Sequence, residues 1–320
     1  MTDQAVLRIG TRASLLARTQ TGWVADQVRA LGHAVTIETI RTSGDERGDV
    51  PVPRIGGDGV FVRELEAALL DGRIDVAVHS LKDLPTATTA GLSLACVPRR
   101  ALPFDVLVSR RHASLAALPP GAVIGTSSVR RALQLRALRP DIEVRGVRGN
   151  VDSRLRRLDA GEYDGLVLAG AGLERLGLES QITEILRPGA FWPAVGQGAL
   201  VVQTRADDSA TRAAIAPLDD AETHAAVRAE RGFLATLAGG CLAPIGAWAR
   251  AGAEGLELGG CVLEDRGGTV RRIVAQGVAL ADQTPEAFGA AVAEQLRAAG
   301  ADEMLAAARA AAAGGPAAGT

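Results

Sequence analysis

Residues 74–85 read IDVAVHSLKDLP. Its first half is a short apolar run with β-branched residues, which predicts a strand over 75–80 that is buried on both faces of a sheet. Its second half is polar and carries the charged pair Lys82-Asp83. Because ligands of open α/β sheets bind beyond the carboxyl ends of strands, the stretch predicts such a sheet with a site after the strand.

Lys82 is the only lysine in the chain, and the other 34 of the 35 basic residues are arginines. Lysine is a compact charge whose pKa shifts readily, whereas arginine is a rigid planar fork. We therefore interpret Lys82-Asp83 as marking a site that needs a positioned acid or base. The alternative is that one lysine survived by chance.

The alternation of apolar runs and helical segments continues outward from this stretch through the first two-thirds of the chain. We predict strands at Val6–Thr11, Val35–Thr42, Asp75–Ser80, Leu92–Val97, Asp105–Ser109, Val123–Thr126, Ile142–Arg145, Gly165–Ala169 and Leu200–Thr204. We predict helices at Ser14–Leu31, Val60–Asp71, Val129–Leu138, Val151–Ala160 and Gly172–Leu176. This rhythm predicts an α/β fold with helices on both faces of its sheets.

Two such sheets are predicted, joined by Pro/Gly-bearing crossings at Pro98–Pro103 and Gly189–Gly198 that serve as hinges. The run Ala199–Arg205 returns the chain to the first sheet. From Asp220 the pattern changes to an α+β module, with a helix at Glu222–Leu237, strands near Ala243–Ala251, Leu256–Leu263 and Val270–Val278, and a helix at Pro285–Ala298. The expected domains are 1–98 with 199–217, then 104–192, then 220–320. The Ala/Gly-rich tail 306–320 is expected to fray.

Bulk properties narrow the class of protein. A chain of 320 residues is expected to hold about two or three domains. The net charge of −2 argues against a general nucleic-acid binder. Three widely spaced cysteines suit neither a disulfide framework nor a zinc site. With no secretory signal and no apolar stretch of membrane-spanning length, we expect a cytoplasmic protein that uses neither nucleic acid nor membrane.

Arginines and hydroxyl groups gather at the ends of three predicted strands. The members of this group are Arg12 and Ser14, then Thr126, Ser128, Arg130 and Arg131, then Arg148 and Arg154. Each arginine alone is most simply a solvated surface residue. Together, at strand ends where helix N-termini favour anions, they predict a polyanionic ligand bound between the two sheets.

Cys241 lies in LAGGCLAPIG, a loop whose glycines let its backbone approach a neighbour closely. Its thiol is either exposed and functional or a small buried hydrophobe. Cys96 and Cys261 lie within apolar runs, and we interpret them as structural.

Seven segments resemble the porphobilinogen deaminase family, whose members are also called hydroxymethylbilane synthases. They are IGTRAS (9–14), GVFVRELE (59–66), HSLKDLP (79–85), GTSSVRR (125–131), RGNV (148–151), PAVGQG (193–198) and GGC (239–241). They follow the family's order over nearly the whole chain. The resemblance implies two lobes like those of periplasmic binding proteins with doubly wound mixed sheets, an active site in the cleft between them, and a small C-terminal domain.

The resemblance also implies the chemistry. A dipyrromethane cofactor would be joined covalently to Cys241 by a thioether and made from the enzyme's own substrate. Four porphobilinogen molecules would be condensed head to tail on this primer with loss of ammonia, and hydroxymethylbilane would be released by hydrolysis. A monomer that takes part in porphyrin and haem biosynthesis is expected.

By the same resemblance, Asp83 is the central catalyst, and Lys82 beside it binds a substrate carboxylate or holds Asp83 ionised. The residues expected to bind the cofactor are Lys82, Asp83, Ser128, Arg130, Arg131 and Cys241. The residues expected to bind substrate are Arg12, Ser14, Phe61, Thr126, Arg148, Arg154, Arg175 and Gln197. Phe61 either packs on a pyrrole ring or is a core aromatic residue.

One position departs from the family's pattern. Asp58, in the Gly-rich loop 54–59, stands where many relatives carry a lysine. The loop is expected to form a mobile flap over the cleft, and an acid at this position puts a direct carboxylate contact there in doubt. Arg54 is a candidate to compensate.

Two other classes of protein fit part of the sequence. A solute-binding protein would share the two lobes and the anion-binding strand ends, but it does not explain the third module with Cys241. An effector-binding domain of a transcription factor would share the lobes, but no basic helix-turn-helix region is evident at either end.

Overall fold

A computed structural model describes residues 6–41, 62–238 and 243–314. Its strands are β1 (Leu7–Thr11), β2 (Val35–Thr39), β3 (Val76–Ser80), β4 (Leu92–Cys96), β5 (Asp105–Val108), β6 (Val123–Gly125), β7 (Glu143–Arg145), β8 (Gly165–Ala169), β9 (Glu184–Leu186), β10 (Leu200–Arg205), β11 (Ile245–Gly252), β12 (Gly255–Arg266) and β13 (Thr269–Val278). Its α-helices are α1 (Leu15–Ala30), α2 (Arg63–Leu70), α3 (Val129–Leu138), α4 (Val151–Asp159), α5 (Gly170–Arg175), α6 (Ser209–Ile215), α7 (Ala221–Thr236), α8 (Pro285–Ala298) and α9 (Ala301–Gly314).

The first sheet has the strand order β2-β1-β3-β10-β4. β1 pairs in parallel with β2 and β3, whereas β10 is antiparallel to both of its neighbours, β3 and β4. Ile9, Val76 and Val202 lie fully buried in the core of this lobe. The predicted return of the chain to the first sheet is therefore confirmed, and the sheet is mixed, as expected.

The second sheet repeats this plan with the order β7-β6-β8-β5-β9. β6 pairs in parallel with β7 and β8, and β5 is antiparallel to β8 and β9. Strands β6 and β8 are each followed by a helix, α3 and α5, so helix N-termini lie at their carboxyl ends. Together with the first sheet, this confirms the predicted α/β fold of two lobes.

The C-terminal domain is an antiparallel sheet, β11-β12-β13, covered by helices. Phe233 of α7 and Phe288 of α8 pack against the sheet within one buried cluster. Gly289 lets α8 approach α7 closely, because a Cβ there would lie 1.9 Å from the Ala229 carbonyl oxygen. The predicted α+β module is confirmed.

The two crossings between the lobes touch each other directly. The Ala101 amide donates to the Gly198 carbonyl oxygen at 3.1 Å. Gly198 has a φ of +88°, and a Cβ there would lie 2.6 Å from the Ala101 carbonyl oxygen. Only glycine suits this position, because a side chain would meet both backbone strain and a backbone clash.

Three local expectations were wrong or incomplete. Residues 306–314 were expected to fray but belong to α9, because alanine favours helix and because Met304 and Leu305 of the same helix are buried in the third domain. Strand β9 was missed, although the equally short β6 and β7 were predicted, and α6 was not predicted either. Among the described residues, no helix is both long and apolar enough to cross a membrane.

Candidate active site

Lys82 and Asp83 lie on a single 3₁₀ turn, Leu81–Asp83, that directly follows β3. The flanking Leu81 and Leu84 are buried and fix the turn against the first lobe. The two charged side chains between them are half-buried. Within the part of the chain that the structure describes, neither side chain makes a hydrogen bond, so both remain available to a ligand.

The ammonium of Lys82 is shielded from water and lies near charged groups of both lobes. Burial lowers the pKa of Lys82 to about 8, Asp83 opposes this shift, and Arg131 adds to it. Lys82 belongs to the first lobe and Arg131 to the second. The Lys82–Asp83 turn therefore lies near Arg131 of the second lobe.

The first turn of α3 supplies the second lobe's side of the cleft. Ser128 is the N-cap residue, and its hydroxyl accepts from the Arg131 amide at 3.5 Å. Thr126 is buried, and its hydroxyl accepts from the Ser128 amide at 3.3 Å. This polar turn forms because Ser and Thr satisfy the free amides at the start of a helix.

Arg130 and Arg131, in the same turn, are buried and share one carboxylate, Asp105. The Arg130 Nη1 lies 2.7 Å from Oδ2, and the Arg131 Nε lies 2.8 Å from Oδ1. Arg130 also donates to the Trp192 carbonyl oxygen, and Arg131 to that of Val167. Arg130 is thus held inside the protein, while Arg131 lies close enough to the cleft to affect Lys82.

Gln197, from the second crossing, is fully buried and joins this group. Its Nε2 donates to the Pro103 carbonyl oxygen at 2.9 Å and to Asp105 at 3.1 Å. Its Oε1 accepts from Arg131 at 3.4 Å. The structure therefore places Gln197 behind Arg131 and not on the open face of the cleft.

Arg148 and Arg154 extend the positive charge along the second lobe. Burial, together with the charges of Arg131 and Arg148, lowers the pKa of Arg154 to about 10. The Arg154 Nε donates to the Gly149 carbonyl oxygen at 2.8 Å. Neither guanidinium forms an ion pair with any residue described. Arg131, Arg148 and Arg154 are therefore one cluster of cations, which we call the cation cluster.

The remaining predicted residues lie at three places. Arg12 follows β1 in the first lobe and is near enough to His79 to lower its pKa, after burial, to about 4. Ser14 caps α1 by accepting from the Ala17 amide at 3.4 Å. Arg175 donates to the Gly198 carbonyl oxygen at 2.7 Å and so contacts the crossing. Phe61, Cys241, Asp58 and Arg54 lie outside the described residues.

The site fits a polyanion that bears several carboxylates. The cation cluster has no acid of its own among the described residues except Asp105, which Arg131 shares with Arg130. A bound ligand with several carboxylates would balance this excess charge with charge-assisted hydrogen bonds. The residues present thus fit the acidic side chains that a dipyrromethane group bears.

Sequence reasoning missed Asp105 and Glu230, both fully buried acids. Asp105 opens the apolar strand β5 and Glu230 lies within α7, where its carboxylate binds Arg100 of the first crossing at 2.5 Å. A charged residue in an otherwise buried segment was the available signal. The arginine partners could not be assigned, since they lie 25 or more positions away in the chain.

These features describe a class of two-lobed α/β protein in which a cluster of cations lies near a carboxylate that makes no hydrogen bond to the described residues. Residues 7–213 match the family model described as porphobilinogen deaminase, dipyromethane cofactor binding domain, and residues 224–298 match porphobilinogen deaminase, C-terminal domain. The chain belongs to the porphobilinogen deaminase family.

Individual relatives agree over almost the full length. The porphobilinogen deaminase of Syntrophotalea carbinolica is 48% identical over 308 residues, covering 95% of this chain and 96% of the relative. That of Roseiflexus castenholzii is 48% identical over 302 residues, covering 94% and 98%. Because the chain belongs to this family, we reject the two alternative interpretations, a solute-binding protein and an effector-binding domain of a transcription factor.

Among solved structures, the methionine binding protein MetQ covers 68% of this chain and 90% of its own, with 14% identity and a TM-score of 0.43.

Proposed function

We propose that the protein is a hydroxymethylbilane synthase. It is a transferase that condenses four porphobilinogen molecules head to tail, with loss of ammonia, and releases hydroxymethylbilane for tetrapyrrole synthesis. The observation that carries this conclusion is the Lys82–Asp83 turn facing the cation cluster in a chain of this family. When bound, the dipyrromethane group supplies the pyrrole carbon to which the first substrate unit is joined.

In this proposal Asp83 does the proton chemistry. Its carboxyl protonates the departing amine, and its carboxylate then stabilises the positive charge left on the substrate. It later accepts the proton lost from the carbon that forms the new bond. A single carboxyl group can serve all of these steps. Its protonated form donates the proton, and its ionised form stabilises the cation and then accepts a proton.

The cations hold the carboxylates. We propose that Ser128 binds those of the cofactor and that Arg131 and Lys82 bind those of the cofactor and of the incoming substrate. Arg12, Ser14, Thr126, Arg148 and Arg154 bind those of substrate and growing chain. Arg130 and Gln197 are held by protein atoms, and Arg175 donates to the Gly198 carbonyl oxygen, which supports a role in holding the site's shape. Arg131 is also held by protein atoms, but its effect on the pKa of Lys82 supports a place near the ligand. The predicted contact of Phe61 with a pyrrole ring remains part of the proposal.

We further propose a cytoplasmic monomer that serves haem synthesis, with domains at 1–98 and 199–217, 104–192 and 220–320. The strands that form each of the three sheets support this division. In particular, β10 belongs to the first sheet although it follows all strands of the second sheet in the chain.

Intact mass tests the function and the attachment residue together. The purified protein should be heavier than its sequence by one dipyrromethane group, and it should convert porphobilinogen to hydroxymethylbilane. Cys241→Ser should lose both the added mass and the activity, while Cys261→Ser, at a buried cysteine, should keep both. A fully active protein of unmodified mass would refute the covalent primer.

A further inference from the structure

Asp105 is the first residue of β5 and has no exposed surface. A buried carboxylate is costly unless it is paired and hydrogen-bonded. Burial alone would raise the pKa of Asp105, but the charges of Arg130 and Arg131 and the hydrogen bonds from Arg130 and Gln197 lower it to about 2. Asp105 is therefore a permanent negative charge inside the second lobe.

The two oxygens of Asp105 divide the neighbouring arginines. Among the described residues, Oδ2 accepts a hydrogen bond only from Arg130, at 2.7 Å. Oδ1 receives two nitrogens of Arg131, Nε at 2.8 Å and Nη2 at 2.7 Å, and also the Gln197 Nε2 at 3.1 Å. Contacts at two nitrogens fix both the position and the plane of the Arg131 guanidinium. Without Asp105, the adjacent guanidinium groups would repel each other.

The charges of this group do not balance. One carboxylate meets two guanidinium groups, which leaves one positive charge near Lys82 and Arg154. No second acid pairs with Arg130 or Arg131 in the described ranges. A buried group made only for stability gains from neutrality, so this excess charge indicates a negative ligand.

Asp75 provides the contrast within the same chain. It also binds two arginines, Arg8 at 2.7 Å and Arg205 at 3.0 Å. There, however, a second acid, Asp208, binds Arg205 at 2.7 Å, so two acids meet two arginines. Asp75 lies before β3, at the opposite end of the strand from Lys82. This neutral group has the composition expected of a purely structural one.

We propose that Asp105 is a positioning residue for anion binding: it fixes Arg131 toward the cleft so that the excess positive charge meets a carboxylate of the cofactor or substrate. Gln197, which contacts both side chains, supports the same placement from the crossing. The proposal rests on the proposed function, because it assigns the anion to that reaction.

The test compares Asp105→Asn with Asp75→Asn as the matched control. Asp105→Asn should raise the KM for porphobilinogen at least about tenfold, the factor expected when one charge-assisted hydrogen bond to a ligand is lost. Its kcat should change by less than about threefold, since uniform binding is removed and not a transition-state contact. The fraction of molecules carrying the cofactor, measured by intact mass, should fall. Asp75→Asn should lower the Tm but keep KM and cofactor content.

The outcomes are distinct. If Asp105→Asn loses stability as Asp75→Asn does and keeps the wild-type KM and cofactor content, the positioning role is wrong. If Asp105→Asn fails to fold, Gln197→Leu tests the same role, because it removes the amide contacts to Asp105 and Arg131 and keeps every charge. A KM for porphobilinogen raised by about threefold in this variant supports the positioning role, and an unchanged KM overturns it. A wild-type protein without cofactor or turnover would instead overturn the proposed function.

Discussion

At the scale of single residues, the site combines a side chain available for chemistry with side chains that are fixed. Asp83 and Lys82 make no hydrogen bonds to described residues, whereas Arg130, Arg131 and Gln197 are held by a buried carboxylate. This division suits a reaction in which protons move at one place while a long anion must stay in register.

Asp83→Asn should lower kcat by at least about 100-fold, because general acid–base catalysis by a positioned group contributes about that much or more. The free energy of unfolding should change by less than about 1 kcal/mol, since no described partner is lost. Steady-state turnover of porphobilinogen and thermal unfolding measure the two quantities. Asp71→Asn, at an exposed acid 3.6 Å from Arg73, is the control and should leave both unchanged. Near-normal turnover in Asp83→Asn would show that the catalytic role is wrong.

Lys82 should make substrate binding depend on pH near 8. Its pKa is lowered to about 8, chiefly by burial, so the ammonium is present below that pH and is lost as the pH rises through it. The KM for porphobilinogen should therefore rise above about pH 8. Lys82→Arg should remove this step, because arginine stays charged, and should lower the rate by misplacing the charge. A KM profile with the same step in the variant would assign the titration to another group.

Much of the site could be predicted at the residue level, but not its pairings. Arg131, Arg148 and Arg154 follow strand ends in the sequence, and the structure brings them together. That Arg130 and Gln197 turn inward could not be predicted, because it depends on Asp105, Trp192 and Pro103 from other parts of the chain. Cys241 was identified through the resemblance, and it lies outside the described residues.

At the scale of elements, most strands and helices of the lobes were predictable from their apolar runs, including the three-residue strands β6 and β7. Helix α3 has the predicted bounds, Val129–Leu138, because Ser128 signals its start. Strand β9 was missed, because the polar residues Thr183 and Glu184 interrupt the apolar pattern around it. The second half of helix α9 was expected to fray because its composition is rich in alanine and glycine. The burial of the apolar pair Met304-Leu305 in the same helix stabilises it.

A core substitution in α9 tests its role. Met304 has no exposed surface and lies in the third domain's core, so Met304→Ala should lower the free energy of unfolding by about 2–5 kcal/mol. Glu303→Ala, at the adjacent exposed position, is the control and should change it by no more than about 0.5 kcal/mol. Denaturant unfolding measures both. Equal, small effects would mean that α9 contributes little to the domain.

At the scale of the whole molecule, one buried acid joins the third domain to the lobes. Glu230 of α7 has no exposed surface and accepts from both Nη atoms of Arg100, at 2.5 and 3.1 Å. It also accepts from the Gly196 amide at 2.6 Å and the Ala249 amide at 2.9 Å. Arg100 and Gly196 lie on the two crossings. The carboxylate thus fixes both crossings to the domain that carries Cys241.

Glu230→Gln should lower the free energy of unfolding by about 3–5 kcal/mol, because it leaves the Arg100 guanidinium buried without its counter-charge. Calorimetry should show a lower Tm. Glu222→Gln, at an exposed position on the same helix, should leave the Tm within about 1–2 °C of wild type. A Glu230→Gln protein as stable as Glu222→Gln would show that the domains do not depend on this contact.

The position of β10 has a consequence for synthesis on the ribosome. Chains emerge from their N-terminus, and domains generally fold in that order. Here β10, which ends at Arg205, lies between β3 and β4 in the first sheet. β3 and β4 do not pair with each other, so β10 is the strand that joins them. All five strands of the second sheet leave the ribosome before β10 does. The lobe whose synthesis starts first is therefore the later of the two to complete its sheet, and the catalytic turn after β3 gains its final neighbour only once the anion-binding lobe has been made.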